Sequence, residues 1–401
     1  MLSRFLTHVA PLVFGAGALT GCGLDLTATP DRSAEVSPAP TGSVTLEWQE
    51  QARNLVSANR FNPLAAARAY AALSVAQHAA LTEADQLLAD DEGQSDGFGP
   101  GGRSRFEARR GAVAGASARV LSFFFPAAAD ALNEKVAGQG NGGPGQTHPA
   151  FQRGAAIGRA AGDAMIERLQ NDGFTTPWTG TVPTGPGIFI PVSLPPAGAA
   201  FGSVKPYFLT SGSQFRPAPP PAFGSDAFNT DLNEVLTRTQ NITPEQLAFA
   251  RYWDFPSGTP TPIGYWNGVA ADYTRQHNLN ERAATQVFAL MHAAMFDALI
   301  GCWDAKYYYW TIRPSQANPA ISLAFALPNH PSYPSGHSCS SAAASRVLTH
   351  FFPERAAELA GQVGDAGFSR ILAGIHYRFD ITAGQALGTA VAELAIDRFT
   401  R

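Results

Sequence analysis

Pro334-Ser335-Gly336-His337, followed by Ser338-Cys339-Ser340-Ser341-Ala342-Ala343-Ala344, is the stretch on which the reading of this chain turns. The alanine- and serine-rich run predicts a helix beginning near Ser338. Gly336 lets the backbone approach a ligand closely, amides at a helix start point at an anion, and Ser335 adds a hydroxyl. His337 is placed to move a proton. Alone, the four residues are equally a plain turn and a helix cap.

The flanking sequence supplies what a bound anion would need. Upstream, Lys306 and Arg313-Pro314 lie seven positions apart. On one helix that spacing is two turns, with directions differing by about 20°. The expectation is therefore one helix carrying both cations, ended or redirected by Pro314. Trp303, Tyr307, Tyr308, Tyr309 and Trp310 surround the pair and predict partial burial. Downstream, Ser369-Arg370 precedes His376 and Asp380, which at four apart share a helix face. The carboxylate can hold one imidazole N–H and leave the other nitrogen free. Arg370 is off that face on a continuous helix, so Gly374 is expected to break it. Three cations, a hydroxyl, helix-start amides and two histidines suit a tetrahedral oxyanion such as phosphate or vanadate.

These residues closely resemble the signature of the superfamily shared by type 2 phosphatidic acid phosphatases, bacterial non-specific acid phosphatases and vanadium-dependent haloperoxidases. That signature is Lys, six residues, Arg-Pro; then Pro-Ser-Gly-His; then Ser-Arg, five residues, His, three residues, Asp. The resemblance implies that Lys306, Arg313 and Arg370 bind the oxyanion and that Ser335 and Gly336 add hydrogen bonds. His376 would be the phosphorylated nucleophile of a phosphatase, with no cofactor, or the vanadate ligand of a haloperoxidase. Asp380 would orient it. His337 would protonate a leaving group or assist peroxide activation. Trp303, three before the motif lysine, and His330, five before the motif serine, match positions that haloperoxidases commonly place near the halide. With a doubled helical pattern and no set of membrane spans, they favour the haloperoxidase branch. An exported acid phosphatase acting through phosphohistidine is the alternative, and a non-catalytic surface lipoprotein the second alternative.

The rest of the chain bounds these expectations. Its 401 residues carry a net charge of -4, which argues against a nucleic-acid partner and leaves a small molecule as the expected substrate. Lysine occurs only at 135, 205 and 306, so one of these rare residues falls in the signature. No clustered carboxylates or Cys/His spacing suit a divalent cation, and vanadate would bind as an anion. Residues 1–22 read as an export signal: Arg4, the apolar run Phe5 to Leu19, then Leu19-Thr20-Gly21-Cys22, which resembles a bacterial lipoprotein box. Cys22 would be lipidated and tether a periplasmic or outer-surface protein to a membrane. Export would leave Cys302 and Cys339 in an oxidising compartment, where they are expected as buried free thiols, with a disulfide between them as the alternative. The oligomeric state is not encoded in any pattern here.

The expected fold is all-α: two related helical bundles joined by a long Pro/Gly-rich connector. The boundaries are 23–44 for a flexible tether, 45–174 for an N-terminal bundle, 175–230 for the connector and 231–401 for the catalytic bundle. An internal duplication underlies the pairing. Arg119-Val120-Leu121-Ser122-Phe123-Phe124-Phe125-Pro126 mirrors Arg346-Val347-Leu348-Thr349-His350-Phe351-Phe352-Pro353, and Ile157-Gly158-Arg159-Ala160 mirrors Leu387-Gly388-Thr389-Ala390. Tyr70-Ala71-Ala72-Leu73 sits opposite Phe288-Ala289-Leu290-Met291. The first-half positions facing Pro334 to His337 hold Glu107, Ala108, Arg109 and Arg110, so that copy lacks the oxyanion residues. Helix starts are predicted at Thr243-Pro244-Glu245-Gln246, a capping box with a first-turn proline, and at Asn280.

Overall fold

The computed structural model describes residues 43–91, 100–140 and 147–400. The export signal and Cys22 lie outside the described residues. Within them the secondary structure is helical, with two isolated β-bridges. In chain order the helices are α1 (Val44–Ala58), α2 (Pro63–Asp91), α3 (Pro100–Phe124), α4 (Ala129–Gln139) and α5 (Pro149–Gln170). After the connector come α6 (Asp226–Gln240), α7 (Pro244–Tyr252), α8 (Thr261–Gln276) and α9 (Glu281–Tyr309). The last four are α10 (Pro314–Ala317), α11 (Gly336–Phe351), α12 (Ala356–Leu372) and α13 (Arg378–Thr400).

Local chemistry explains the helix starts. Thr243 and Gln246 form the reciprocal capping box ahead of α7, and the Asn280 side chain accepts from Ala283 N at the start of α9. The run from Gly111 to Val136 is divided where Pro126 follows Phe125: α3 ends and α4 begins after one 3₁₀ turn.

Helix α9 is the axis of the molecule. Its 29 residues span about 43 Å. By length and composition it would qualify to cross a membrane, but nearly all of that window is buried in the protein. It packs against α2 and α3 on one side and α11 and α13 on the other, within a core shared by both halves. A helix apolar all round is what such a position requires.

The duplication is visible in the backbone. Phe125 has φ -132°, ψ 69° and its counterpart Phe352 has φ -130°, ψ 69°, each followed by a proline-led 3₁₀ turn. Helices α3 and α5 cross through glycines, and so do α11 and α13. A Cβ on Gly158 would overlap the Ala112 carbonyl, and one on its counterpart Gly388 would overlap the Cys339 carbonyl. Both halves therefore use backbone-to-backbone contact at an equivalent crossing.

The connector ends at Ser225, short of the expected 230, because the Ser225 side chain caps α6 from Asp226; from 175 to 225 it is tied down by polar groups on α9 and beyond. The buried Asp297 carboxylate accepts three consecutive amides, Tyr207 (2.8 Å), Phe208 (2.6 Å) and Leu209 (2.9 Å). Burial pushes Asp297 up to about 6 against the pull of those amides. Tyr307 Oη donates to Ala197 O (2.7 Å), Tyr309 Oη to Pro217 O (2.7 Å) and Tyr333 Oη to Ala218 O (2.6 Å). The connector thus roofs the C-terminal end of α9.

Gly388→Ala is expected to destabilise the protein by about 2–3 kcal/mol, because backbone must move to admit the methyl. Gly361→Ala in α12, where a Cβ meets nothing within 4 Å, is expected to be neutral or mildly stabilising. Thermal unfolding of both variants checks this; equal melting temperatures would remove the glycine crossing from the account.

Candidate active site

The signature residues converge below the connector, on a route partly different from the one the spacing predicts. Helix α9 ends at Tyr309, and Trp310 takes the left-handed conformation at φ 50°, ψ 35°. Thr311 then pairs with Ile188 of the connector in a short antiparallel bridge. Lys306 and Arg313 therefore do not share a helix. Pro314 does not end one either: it is the first residue of α10, with Arg313 at the N-cap. The two cations meet because the chain folds back.

Both are fully buried, and backbone carbonyls hold them. Lys306 Nζ donates to Pro331 O and Ser332 O, each at 2.8 Å. Arg313 donates to His330 O through Nε (3.0 Å) and to Ile375 O through Nη1 (2.7 Å). Its Nη1 also lies 3.2 Å from His376 Nε2. Arg370, equally buried, donates from Nη2 to Ala250 O (2.8 Å) and from Nε to Ser369 Oγ (3.0 Å). Arg370 Nη1 has no hydrogen-bond partner.

His376 and Asp380 pair as predicted, for a different local reason. Helix α13 begins at Arg378, after His376. Asp380 sits in its first turn and reaches back, accepting from His376 Nδ1 (2.8 Å) and Tyr377 N (3.1 Å) with one oxygen. Ser332 Oγ donates to the same oxygen at 2.6 Å. This arrangement assigns the imidazole proton to Nδ1 and leaves a lone pair on Nε2. The backbone carbonyl of Asp380 accepts Ser335 N (2.9 Å), which ties the His376 turn to the start of α11. Gly374 has φ +76°, the predicted break that lets Arg370 and His376 face one space.

Helix α11 starts at Gly336, and Ser335 caps it by accepting Ser338 N at 3.4 Å. The Gly336 and His337 amides have no intrahelical acceptor, as at any helix start. His337 Nε2 is buried without a partner.

A cavity of about 90 Å³ lies at the convergence, several times the space that one water needs, about 10–15 Å³. Gly336, His337, Arg370 and His376 line it, together with Trp303 and His330. Lys306, Arg313 and Ser335 are not in its lining; they stand in the wall behind. The Trp303 and His330 rings lie 5.0 Å apart, and Trp303 Nε1 donates to Ala197 O of the connector (3.1 Å). Pro63 of α2 and Pro262 and Ile263 of α8 complete the wall.

Two contributors escape sequence reasoning. Asp254, just after α7, lines the cavity with its carboxylate 3.7 Å from the unpartnered Arg370 Nη1. It carries no motif and lies far from Arg370 in sequence. Ser332 orients Asp380; its place three residues before Ser335 was the one available signal.

The electrostatics follow from burial. Burial lowers Lys306 to about 8 and Arg313 and Arg370 to about 10. It also lowers His376, His337 and His330 well below 6.5, helped by the neighbouring cations. Both motif histidines are therefore neutral at neutral pH. Burial raises Asp380 towards about 6, opposed by its donors and Lys306. Three buried cations thus face one fully buried carboxylate, with Asp254 half-exposed at the rim. The unpartnered Arg370 Nη1 donor, on a residue that lines a small cavity with excess positive charge, fits a small oxyanion.

Anion binding would favour charged Lys306 and raise its pKa. Affinity for inorganic phosphate, a dianion above neutrality, is therefore expected to hold below pH 8 and to fall as pH rises through about 8. Calorimetric titration from pH 7 to 9.5 checks this. Unchanged affinity across that range would separate Lys306 from the anion.

Comparison with known proteins agrees with this geometry. The model of the PAP2 superfamily matches residues 282–400. Non-specific acid phosphatases of Salmonella typhi and Salmonella typhimurium are each 37% identical over 91 residues, 21% of this chain. The chain spans 36% of the length of those relatives. Among solved structures, a bacterial vanadium-dependent iodoperoxidase superposes with a TM-score of 0.73 at 25% identity, covering 90% of this chain and 98% of that one. A bacterial vanadium-dependent chloroperoxidase, in its apo form, shares the fold at a TM-score of 0.64 and 16% identity, over 84% of this chain and 92% of its own. Residues 282–400 of this protein match the PAP2 superfamily, and they sit in an all-α fold that the chain shares with bacterial vanadium-dependent haloperoxidases.

Proposed function

We propose that this protein is a vanadium-dependent haloperoxidase, which oxidises halide with hydrogen peroxide. The balanced reaction consumes peroxide, halide and a proton and yields hypohalous acid and water. The observation that carries this reading is the whole-chain match to the iodoperoxidase, which extends over both bundles and the connector. These are the parts that bring Pro63 and the Ala197–Trp303 contact to the cavity. Iodide is accordingly the first halide to test.

In this reading His376 Nε2, Arg370, Arg313, Lys306, Ser335 and Gly336 hold vanadate. Bound there, vanadate would supply the Lewis-acid centre that activates peroxide towards halide. The protein's own part is positional and electrostatic. Asp380 and Ser332 fix the His376 tautomer, so the nitrogen left with a lone pair to ligate is Nε2. The three cations lower the energy of negative charge on oxygen. His337, neutral and unpartnered at Nε2, can take and return a proton within the cavity. Trp303 and His330 give one wall a less hydrated surface suited to a soft halide.

The acid-phosphatase matches favour a second reading. There His376 Nε2 would attack the phosphorus of a phosphomonoester, and His337, neutral at rest, would first take a proton from the medium and then pass it to the departing alkoxide. Assays of phosphate-free protein for iodide and bromide oxidation and for aryl-phosphate hydrolysis, each with and without orthovanadate, decide between them. Halide oxidation that requires vanadate is expected, with loss of at least about a thousandfold in His376→Ala. Hydrolysis inhibited by vanadate, without halide oxidation, would overturn the first reading in favour of the second.

We further propose export with lipidation at Cys22, resting on the lipoprotein-like Leu19-Thr20-Gly21-Cys22. Expressed in bacteria, the full chain is expected to incorporate labelled palmitate and to lose the label in Cys22→Ser. Equal labelling of both would reject the anchor.

A further inference from the structure

Cys302 and Cys339 have no role in the chemistry described so far, yet they stand directly behind it. Cys302 is on α9, one turn before Lys306, and Cys339 is in the first turns of α11. Both are fully buried and both are free thiols. They address the same turn: Cys302 Sγ donates to Pro334 O at 3.6 Å, and Cys339 N donates to Ser335 O at 3.0 Å. Both thiols lie in the core where α9 packs on α11. Burial opposes ionisation of Cys302, yet the Cys339 thiol and the Lys306 charge bring it below the usual thiol value. Burial holds Cys339 well above that value. The pair is asymmetric, with ionisation easier at Cys302 than at Cys339.

The cavity passes close by. Leu299 and Trp303 flank Cys302 on α9, Gly336 and Ser340 flank Cys339 on α11, and all four line the cavity. Residues next to each cysteine in sequence thus border the space that a small oxidant would enter.

We propose that Cys302 and Cys339 form a peroxide-reactive pair that closes into a disulfide between α9 and α11 behind the oxyanion cavity. The Cys302 thiolate attacks one peroxide oxygen, the O–O bond breaks, and the other oxygen leaves as water after taking a proton, giving a sulfenic acid. The Cys339 sulfur then attacks the Cys302 sulfur. The S–S bond forms, the S–O bond breaks, and a second water leaves with the Cys339 proton. Two thiols are oxidised by two electrons and one peroxide is reduced to two waters. In the cell the oxidant would be the peroxide consumed by the proposed reaction, so the physiological role rests on that reading; the thiol chemistry itself does not.

The consequence for the site is electrostatic. A lone thiol at either position would advance to sulfinic or sulfonic acid, both anionic. Such a group beside Lys306 would oppose the bound oxyanion. A disulfide is neutral and leaves the positive field intact.

The test uses the full chain, reduced, freed of reductant, and exposed to a few equivalents of hydrogen peroxide without vanadate. Denaturing alkylation and peptide mass mapping follow, with Cys22 mapped separately. The expected result is a peptide linked between Cys302 and Cys339. In Cys339→Ala the expected product is over-oxidised Cys302. Wild-type protein in which both thiols remain alkylatable, or in which over-oxidation replaces the linked peptide, would overturn the proposal. The link formed in a protein that oxidises no halide keeps the thiol pair and removes the peroxidase reading. Halide oxidation with both thiols unchanged does the reverse.

Discussion

Three cations buried against one buried carboxylate set the terms for everything around them. Lys306, Arg313 and Arg370 are fully excluded from solvent, and Asp380 is the carboxylate buried among them. Taking a charge out of water costs several kcal/mol even after relaxation. The chain offsets part of that cost with carbonyl oxygens from Pro331, Ser332, His330, Ile375 and Ala250, each accepting from a cationic head at 2.7–3.0 Å. Carbonyl dipoles orient a cation without cancelling its charge. What remains is a net positive field in a small space, with Arg370 Nη1 lacking an acceptor and His337 Nε2 without a partner. A bound oxyanion is the partner that would satisfy both the field and that donor.

The duplicated half shows the contrast. Its positions facing the signature hold Glu107, Arg109 and Arg110, and its arginines have carboxylate partners. Arg110 pairs with Glu107 at 2.8 Å and Arg109 with Asp85 at 2.6 Å, all partly solvated. The same helix-pair geometry therefore supports ordinary ion pairs in one copy and a charge-unbalanced cage in the other. The helix crossings through Gly158 and Gly388 are common to both. Scaffold and chemistry separate cleanly: backbone contact builds the bundle, and the placement of carboxylates decides whether an anion is wanted.

Much of this was legible because the signature residues are close in sequence and their types are constrained by one ligand. The capping box at Thr243, the start at Asn280 and the break at Gly374 could be read from local chemistry. The Lys306–Arg313 helix could not be ruled out that way. Trp310 ends α9 in a left-handed conformation usually reserved for glycine or asparagine, and what holds it is tertiary: Phe189 N donates to Trp310 O at 2.7 Å, and Ile188 bridges Thr311. A periodicity argument has no access to a partner more than a hundred residues away. Asp254 was invisible for the same reason, since its meaning comes from Arg370 in space. Pairing of His376 with Asp380 survived an incorrect premise, because a first-turn carboxylate reaching back covers the same separation as two residues on one face.

The choice of reaction must lie outside the cage. Within residues 282–400 the cage residues are those the superfamily signature names, and sequence likeness to acid phosphatases extends over a short segment only. The wall that is not part of the cage comes from elsewhere in the chain. Pro63 arrives from the first bundle, Pro262 and Ile263 from α8, and Ala197 O of the connector fixes the Trp303 indole that lies tilted against His330. A Cβ on Gly198 would strike that indole and the Leu64 side chain, so connector, first bundle and Trp303 are fitted to one another at a single point. An oxyanion held by the same cations meets a different second reactant depending on what this wall admits. The first bundle and α8, which lie outside the signature segment, therefore set the size and polarity of the space beside the cage.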